Sequence, residues 1–232
     1  MYDPAPKRDP LTPQERWFAG IFLAVLLSLF VAAIWHNFQP VKLSALLVVL
    51  FWIPLLALHE VGHAICAALL NWHVGQVVIG MGRLVSSFRV RTAVIEIRLF
   101  PVEGFVKCVP KDLRAPRLKS TLIYFAGPGI ELILAVGILL LIGPDRLLTR
   151  SDNYFLLGWQ SLALASAVQG VLNLIPHAVY TPEGEMPNDG LGIIRSFQRP
   201  EGYYADMIGN TYNEQMGDWE TYDPADWWKR GK

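Results

Sequence analysis

Long apolar stretches alternate with polar segments along this chain of 232 residues. Four of the stretches are long enough to cross a bilayer as helices, for which about 20 apolar residues are needed. They cover residues 17–35, 43–70, 121–142 and 154–175. The pattern predicts an all-α polytopic membrane protein that has four transmembrane helices and a lipid bilayer around it.

The connection between the second and third spans has the periodicity of a β-strand in one part. Ile95, Ile97 and Leu99 alternate with charged residues there, and a proline and a glycine follow. Alternation with a period of two is typical of a strand that has two different faces. We predict a small β-hairpin or sheet over about residues 77–106, beside the second span.

Positive charges in the connections predict the orientation of the spans. The connection over residues 71–120 carries nine Lys or Arg, whereas the two connections on the opposite side are short and carry only Lys42, Arg146 and Arg150. Because positively charged loops remain in the cytoplasm, both termini and the long connection are predicted to be cytoplasmic.

The same pattern divides the chain into three parts. A charged, proline-rich leader precedes the first span, and the segment after the last span is acidic and too polar to cross a membrane. The tail either remains free or docks against the basic connection, as opposite charges would favour. The predicted parts are a leader at residues 1–16, a membrane-embedded domain at 17–198 and a cytoplasmic tail at 199–232.

Composition agrees with a membrane protein. Of all residues, 53% are hydrophobic and 17% are charged, whereas a soluble domain has about 25% charged residues. The formal net charge is zero, so nothing indicates that the chain binds nucleic acid.

The second span contains the string His59-Glu60-Val61-Gly62-His63 in otherwise uncharged sequence. On a helix, residues four apart share a face, so His59 and His63 can bind one metal ion. This spacing is typical of zinc metalloproteases, in which the Glu acts as general base on a water molecule. Ionisable groups inside a membrane helix are costly and are usually functional. We therefore predict a zinc site with Glu60 as its base.

The third span holds a second ionisable residue, Glu131, just after the small-residue segment at 125–129. A carboxylate at that depth must have a partner or a water-filled cavity. It could orient a metal-bound histidine, relay protons, or remain protonated in a structural role.

A third landmark ends the fourth span. Asn173-Leu174-Ile175-Pro176 is followed by a polar stretch and then by Asn188-Asp189-Gly190. A catalytic zinc bound by two histidines needs a third protein ligand, and Asp189 can supply a carboxylate. Taken alone, the second string is also typical of a turn or a helix cap.

With these landmarks in this order, the chain resembles the site-2 protease family of intramembrane zinc metalloproteases. The resemblance covers about residues 54–195 and includes two further segments, Phe100-Pro101-Val102-Glu103-Gly104-Phe105-Val106 and Ala126-Gly127-Pro128. It implies a protease that hydrolyses peptide bonds in or near the transmembrane segment of membrane-protein substrates, with Zn²⁺ as cofactor.

The resemblance also implies roles for individual residues. His59, His63 and Asp189 would bind zinc, Glu60 would be the general acid and base, and Asn173 would position the substrate or stabilise an oxyanion. Other candidates for the third ligand are Glu183, Glu185 and His177, and His177 could instead contact substrate.

A non-hydrolytic relative that binds metal or acts as a chaperone is the alternative function. A site that only binds metal has no need of Glu60, so the presence of this residue favours the enzyme.

Overall fold

The computed structural model describes residues 38–181 and 184–215, together with residues 17, 21, 24–25, 28–32 and 35–36. The predicted leader and the part of the predicted tail after residue 215 lie outside the described residues.

Three helices of the described part are long and apolar enough to cross a membrane: α1 (Leu43–Leu69), α2 (Pro116–Ile142) and α4 (Tyr154–Leu174). A short helix, α3 (Pro144–Leu148), connects the last two. The first predicted span, residues 17–35, is described only in part, and each described position in it is helical. Mutual packing of α1, α2 and α4 forms the bundle that holds the site.

The helix ends follow local chemistry. Helix α2 begins five residues before the predicted start of the third span, because Pro116 is accommodated in a first turn that lies outside the apolar stretch. It ends at Gly143, whose φ of 83° continues no helix. Helix α4 begins after Asn153, which caps the backbone N–H groups of Phe155 and Leu156.

The connection between α1 and α2 folds as a long antiparallel hairpin of β1 (Trp72–Val90) and β2 (Ala93–Pro110). Both strands bend back, so that residues 76–79 pair with 94–97 on one side and with 104–107 on the other. The hairpin therefore extends beyond the predicted segment, residues 77–106, at both ends. Its half next to the bundle is largely buried, whereas residues 81–92 are exposed. On β2, Val94, Glu96 and Pro110 are buried, and Ile97 and Leu99 are exposed.

The buried carboxylate of Glu96 is stabilised by neighbours on the same hairpin. Gln76 Nε2 donates a hydrogen bond to Glu96 Oε1 at 2.7 Å, and Arg98 donates to Glu96 Oε2 at 2.8 Å. The paired carboxylate explains why the sheet buries an acidic residue on the side that the sequence pattern would fill with isoleucine.

After α4 the chain forms elements that the sequence pattern did not predict. A second hairpin consists of β3 (Ala178–Thr181) and β4 (Gly184–Pro187), and helices α5 (Asp189–Gln198) and α6 (Glu201–Gln215) follow it. With two hairpins, the prediction of an all-α fold is correct only as a description of a mostly helical protein.

A compact apolar cluster joins the base of the long hairpin to the helices. Its buried members are Ala67, Trp72, Val74, Val77, Ile123 and Tyr204. Tyr204 belongs to α6, in the segment predicted to be a tail, and its ring meets that of Trp72 edge to face at 6.3 Å. In the described residues, this part of the predicted tail therefore packs against the base of the connection through apolar side chains.

Candidate metal centre

Helix α1 directs His59 and His63 from the same face into the centre of the bundle. The two side chains are buried, and their Nε2 atoms are 3.0 Å apart. The four-residue spacing places them one helical turn apart, as the sequence motif predicts.

Asp189 joins this pair from the first turn of α5. One carboxylate oxygen lies 2.8 Å from His59 Nε2, and the other lies 3.2 Å from His63 Nε2. Among the described residues, these three are the group of His, Cys, Asp and Glu side chains whose donor atoms are close enough to hold a metal ion.

The hairpin β3–β4 explains how Asp189 reaches the site despite the long gap after Pro176. Its ends meet, because Ala178 pairs with Pro187 and the backbone N–H of Asn188 donates to the carbonyl of His177 at 3.1 Å, so the long gap separates Asn188 little from the end of α4. Asn188, which follows the hairpin, is hydrogen-bonded to the end of α4. Its side-chain amide donates to the carbonyl oxygens of Asn173 and Ile175 at 3.0 and 2.8 Å.

Asn188 also starts helix α5. Its side-chain oxygen accepts hydrogen bonds from the backbone N–H groups of His177 and Leu191. The cap fixes the first turn of α5, and hence Asp189, against the end of α4. The reading of Asn188-Asp189-Gly190 as a helix cap is therefore correct for Asn188, and it is compatible with a ligand role for the next residue.

The second ring nitrogen of each imidazole, Nδ1, lies close to an oxygen atom of α2. His63 Nδ1 donates to the backbone carbonyl of Ile123 at 2.6 Å, and His59 Nδ1 lies 3.1 Å from Glu131 Oε2. A carbonyl oxygen can only accept, so the hydrogen of a neutral His63 is on Nδ1. Its Nε2 lone pair then points to the other two donors, as metal binding requires.

This donor set fits a zinc ion. Tetrahedral ligands at about 2.0–2.1 Å from zinc are about 3.3 Å apart, close to the observed separations. Two imidazole lone pairs and a carboxylate that face one another in a buried space repel unless a cation lies between them. Gly127 leaves room there, since a Cβ on it would clash with His63 Nε2 and lie 2.6 Å from His59 Nε2.

Positive charge between these groups also favours the ionised form of Asp189. Burial alone would raise the pKa of this carboxyl, but the facing imidazoles, when protonated, hold it at about 2. A bound cation would supply the same positive charge in place of the protons.

Glu60 lies beside the donor cluster and against the long hairpin. Its side chain is buried, and a Cβ on Gly104 of β2 would lie 2.6 Å from Glu60 Oε1. The hairpin therefore passes directly over the carboxylate that the motif assigns as base.

Comparison with protein-family models identifies the relationship that these features suggest. The chain matches Peptidase family M50 over residues 43–145. This is the site-2 protease family, a family of membrane-embedded zinc metalloproteases, and the match confirms the resemblance inferred from the motifs. A comparison with curated proteins found no matching sequence.

The M50 match includes α1, the long hairpin and α2, and it ends before α4. It therefore contains His59, Glu60, His63 and Glu131, whereas Asp189 lies beyond it. The placement of Asp189 beside the two histidines of the M50 region comes from the structure alone.

The other candidates for the third ligand lie differently. Glu185 forms an ion pair with Arg195 at 2.7 Å, and Glu183 lies outside the described residues. The His177 side chain is exposed, and its Nδ1 lies 2.9 Å from the carbonyl oxygen of Ile175. Asn173 is in the last turn of α4, where its backbone carbonyl accepts the Asn188 hydrogen bond.

Sequence reasoning missed the carbonyl of Ile123, which orients His63. It included Gly104 in the segment of residues 100–106 but did not predict that this glycine allows β2 to approach Glu60. A backbone carbonyl leaves no signal in a sequence. Gly127 did leave a signal in the sequence, because the segment of small residues at 125–129 predicted a close approach of helices.

Proposed function

We propose that the protein is an intramembrane zinc metalloprotease that hydrolyses peptide bonds in or near the transmembrane segment of membrane-protein substrates. One observation carries the proposal: two histidines, a carboxylate donor and an adjacent buried Glu60 meet inside a bundle of helices that are apolar enough to cross a membrane. The M50 match also supports a metallopeptidase.

In this proposal His59, His63 and Asp189 hold zinc. When bound, zinc would polarise the scissile carbonyl and lower the pKa of a coordinated water molecule. Glu131 and the Ile123 carbonyl keep the two imidazoles turned to the metal side, which avoids reorganisation during the reaction.

Glu60 performs the proton transfers. Glu60 directly follows His59 on the helix turn that carries both histidines. Its carboxylate would therefore be next to a water molecule and a substrate carbonyl at the metal. It accepts a proton from the attacking water and later gives that proton to the leaving amine. Asn173, at the end of α4, is the proposed donor to the oxyanion.

The substrate must present an extended segment, because the amides of an intact helix are hidden in its own hydrogen bonds. In the described part of the chain, residues 76–79 of β1 are paired on both sides, with 94–97 and with 104–107 of β2, so one free edge of this sheet is the segment of β2 that contains Gly104. An unwound substrate segment can add to such an edge through main-chain hydrogen bonds. The contact between Gly104 and Glu60 would bring a peptide on β2 close to the base.

The proposal includes the topology inferred from the charges. Residues 17–198 form the membrane-embedded domain, and both termini and the tail at 199–232 are cytoplasmic. On this orientation the long hairpin and the metal motif are near the cytoplasmic side.

The test compares membranes of cells that produce the wild type or Glu60→Gln, using proteomics of peptides that end within transmembrane segments. The amide cannot accept a proton, so Glu60→Gln should keep its zinc but produce none of the fragments seen with the wild type. Asp152→Asn is the matched control, since it also replaces a carboxylate by an amide and Asp152 is exposed at the end of α4 that is far from Asn173 and the metal donors. Equal fragments from the wild type and Glu60→Gln would refute the protease assignment and leave a non-hydrolytic metal-binding protein.

A further inference from the structure

Tyr204 is the largest fully buried side chain of the described residues, although it lies in the segment predicted to be a tail. It comes after the M50 match and after every motif that marks the site. A polar tail helix would be expected to rest on the surface, so the complete burial of one aromatic residue needs an explanation.

The first connection from Tyr204 leads to Asp189 through helix α5. The Tyr204 hydroxyl donates to the carbonyl of Ser196 at 3.4 Å, near the end of α5. The Ser196 hydroxyl in turn lies 2.8 Å from the Ser120 hydroxyl in the first turns of α2. Because α5 has only ten residues, fixing its end also fixes the direction in which its first residue, Asp189, points.

The second connection leads to the histidines. Tyr204 belongs to the same buried cluster as Ile123, whose carbonyl accepts the hydrogen bond of His63, and Ala67, which lies one turn beyond His63 on α1. Tyr204 therefore contacts elements that support two of the three metal donors, Asp189 and His63.

We propose that Tyr204 is a positioning residue for the metal centre and that α6 completes the site by fixing the positions of Asp189 and His63 relative to each other. The inference rests on the proposed function in one respect, that these donors bind zinc. Tyr204 touches neither metal nor substrate and acts through α5 and Ile123. It follows that the docking of α6 and the binding of zinc are thermodynamically coupled.

The first experiment measures the zinc dissociation constant of the purified full-length protein by titration against a competing chelator. Loss of a supporting contact typically weakens a metal site by about 10–100-fold, so we expect Tyr204→Ala to bind zinc about tenfold more weakly than the wild type. Tyr204→Phe keeps the buried ring and loses only one long hydrogen bond, so it should remain within about twofold.

The matched control is Ile138→Ala, which also empties a buried apolar position. Ile138 lies on α2 about 22 Å along the helix from Ile123, at a rise of about 1.5 Å per residue. It should lower the stability of the bundle without changing zinc affinity. Equal zinc affinity in Tyr204→Ala and the wild type, or equal weakening in Ile138→Ala, overturns the inference.

The second experiment needs no variant and therefore decides the matter even where Tyr204→Ala does not fold. Coupling is reciprocal, so zinc must stabilise the docked α6 by the same factor. Hydrogen exchange of the backbone amides of α6 in the wild type should slow by about tenfold when zinc is added. If zinc leaves the exchange unchanged in a protein shown to bind zinc, only the role of Tyr204 is refuted. If the wild type binds no zinc, the metal assignment itself is refuted.

Discussion

The substitution of Gly127 by alanine tests the metal centre most directly, because it adds a single methyl group at the place where the donors converge. An ideal Cβ on Gly127 would lie 2.6 Å from His59 Nε2 and clash with His63 Nε2. Since ordinary van der Waals contact begins at 3.4 Å, His59 Nε2 would have to retreat by about 0.8 Å.

The size of this displacement determines whether zinc can still bind. A metal site tolerates errors of about 0.2 Å in its ligand distances, several times less than the required movement. The imidazoles also have little freedom to retreat, because His63 is bonded to the Ile123 carbonyl and His59 faces Glu131. We expect Gly127→Ala to lose most of its bound zinc and its proteolytic activity.

The control separates this effect from helix propensity, which favours alanine over glycine by about 1 kcal/mol in a helix interior. Gly137 lies on the same helix, and a Cβ there would meet nothing within 4 Å. Gly137→Ala should therefore keep full zinc occupancy and equal or greater stability. Metal analysis of both purified variants is the assay, and full zinc occupancy in Gly127→Ala would show that the metal does not bind between these histidines.

The remaining predictions concern the other parts of the site. Asp189→Ala should remove most of the zinc and the activity, whereas Glu185→Ala should change neither. If metal analysis finds the reverse, Glu185 and not Asp189 is the third ligand. Gly104→Ala should reduce kcat with zinc content unchanged, because its methyl group would press on Glu60; an unchanged cleavage rate would contradict the close passage of β2. Removal of zinc by a chelator should stop proteolysis and added zinc should restore it, and activity that survives chelation would exclude a metalloprotease.

The elements that were predictable from the sequence are those with strong local signals. The apolar stretches gave α1 and α4 to within one residue, because long uninterrupted apolar runs have only one stable form in a membrane. The pair His59 and His63 was predictable for a similar reason, since two residues four apart on a helix face the same way whatever surrounds them.

What could not be predicted depends on contacts between distant parts of the chain. The burial of Glu96 is possible only because Gln76 and Arg98 lie beside it in the folded hairpin. The helix α6 looked like a polar tail, because its three tyrosines and few aliphatic residues stand among acidic and polar ones. Its docking depends on the apolar cluster at the base of the hairpin, whose members come from distant parts of the chain.

The charges of the site explain why these distant contacts matter. Glu60 and Glu131 are almost fully buried, and the Asp189 carboxylate is largely enclosed as well. Three carboxylates in an apolar bundle are too costly to keep without compensating positive charge. Two neutral histidines supply none, so a divalent cation held by His59, His63 and Asp189 would offset most of the cost, and it would stabilise in return the elements that gather the donors. On the proposed zinc assignment, the metal centre would therefore also be a structural element that fastens α5 to α1 and α2, and the docking of α6 would extend this coupling to the end of the described chain.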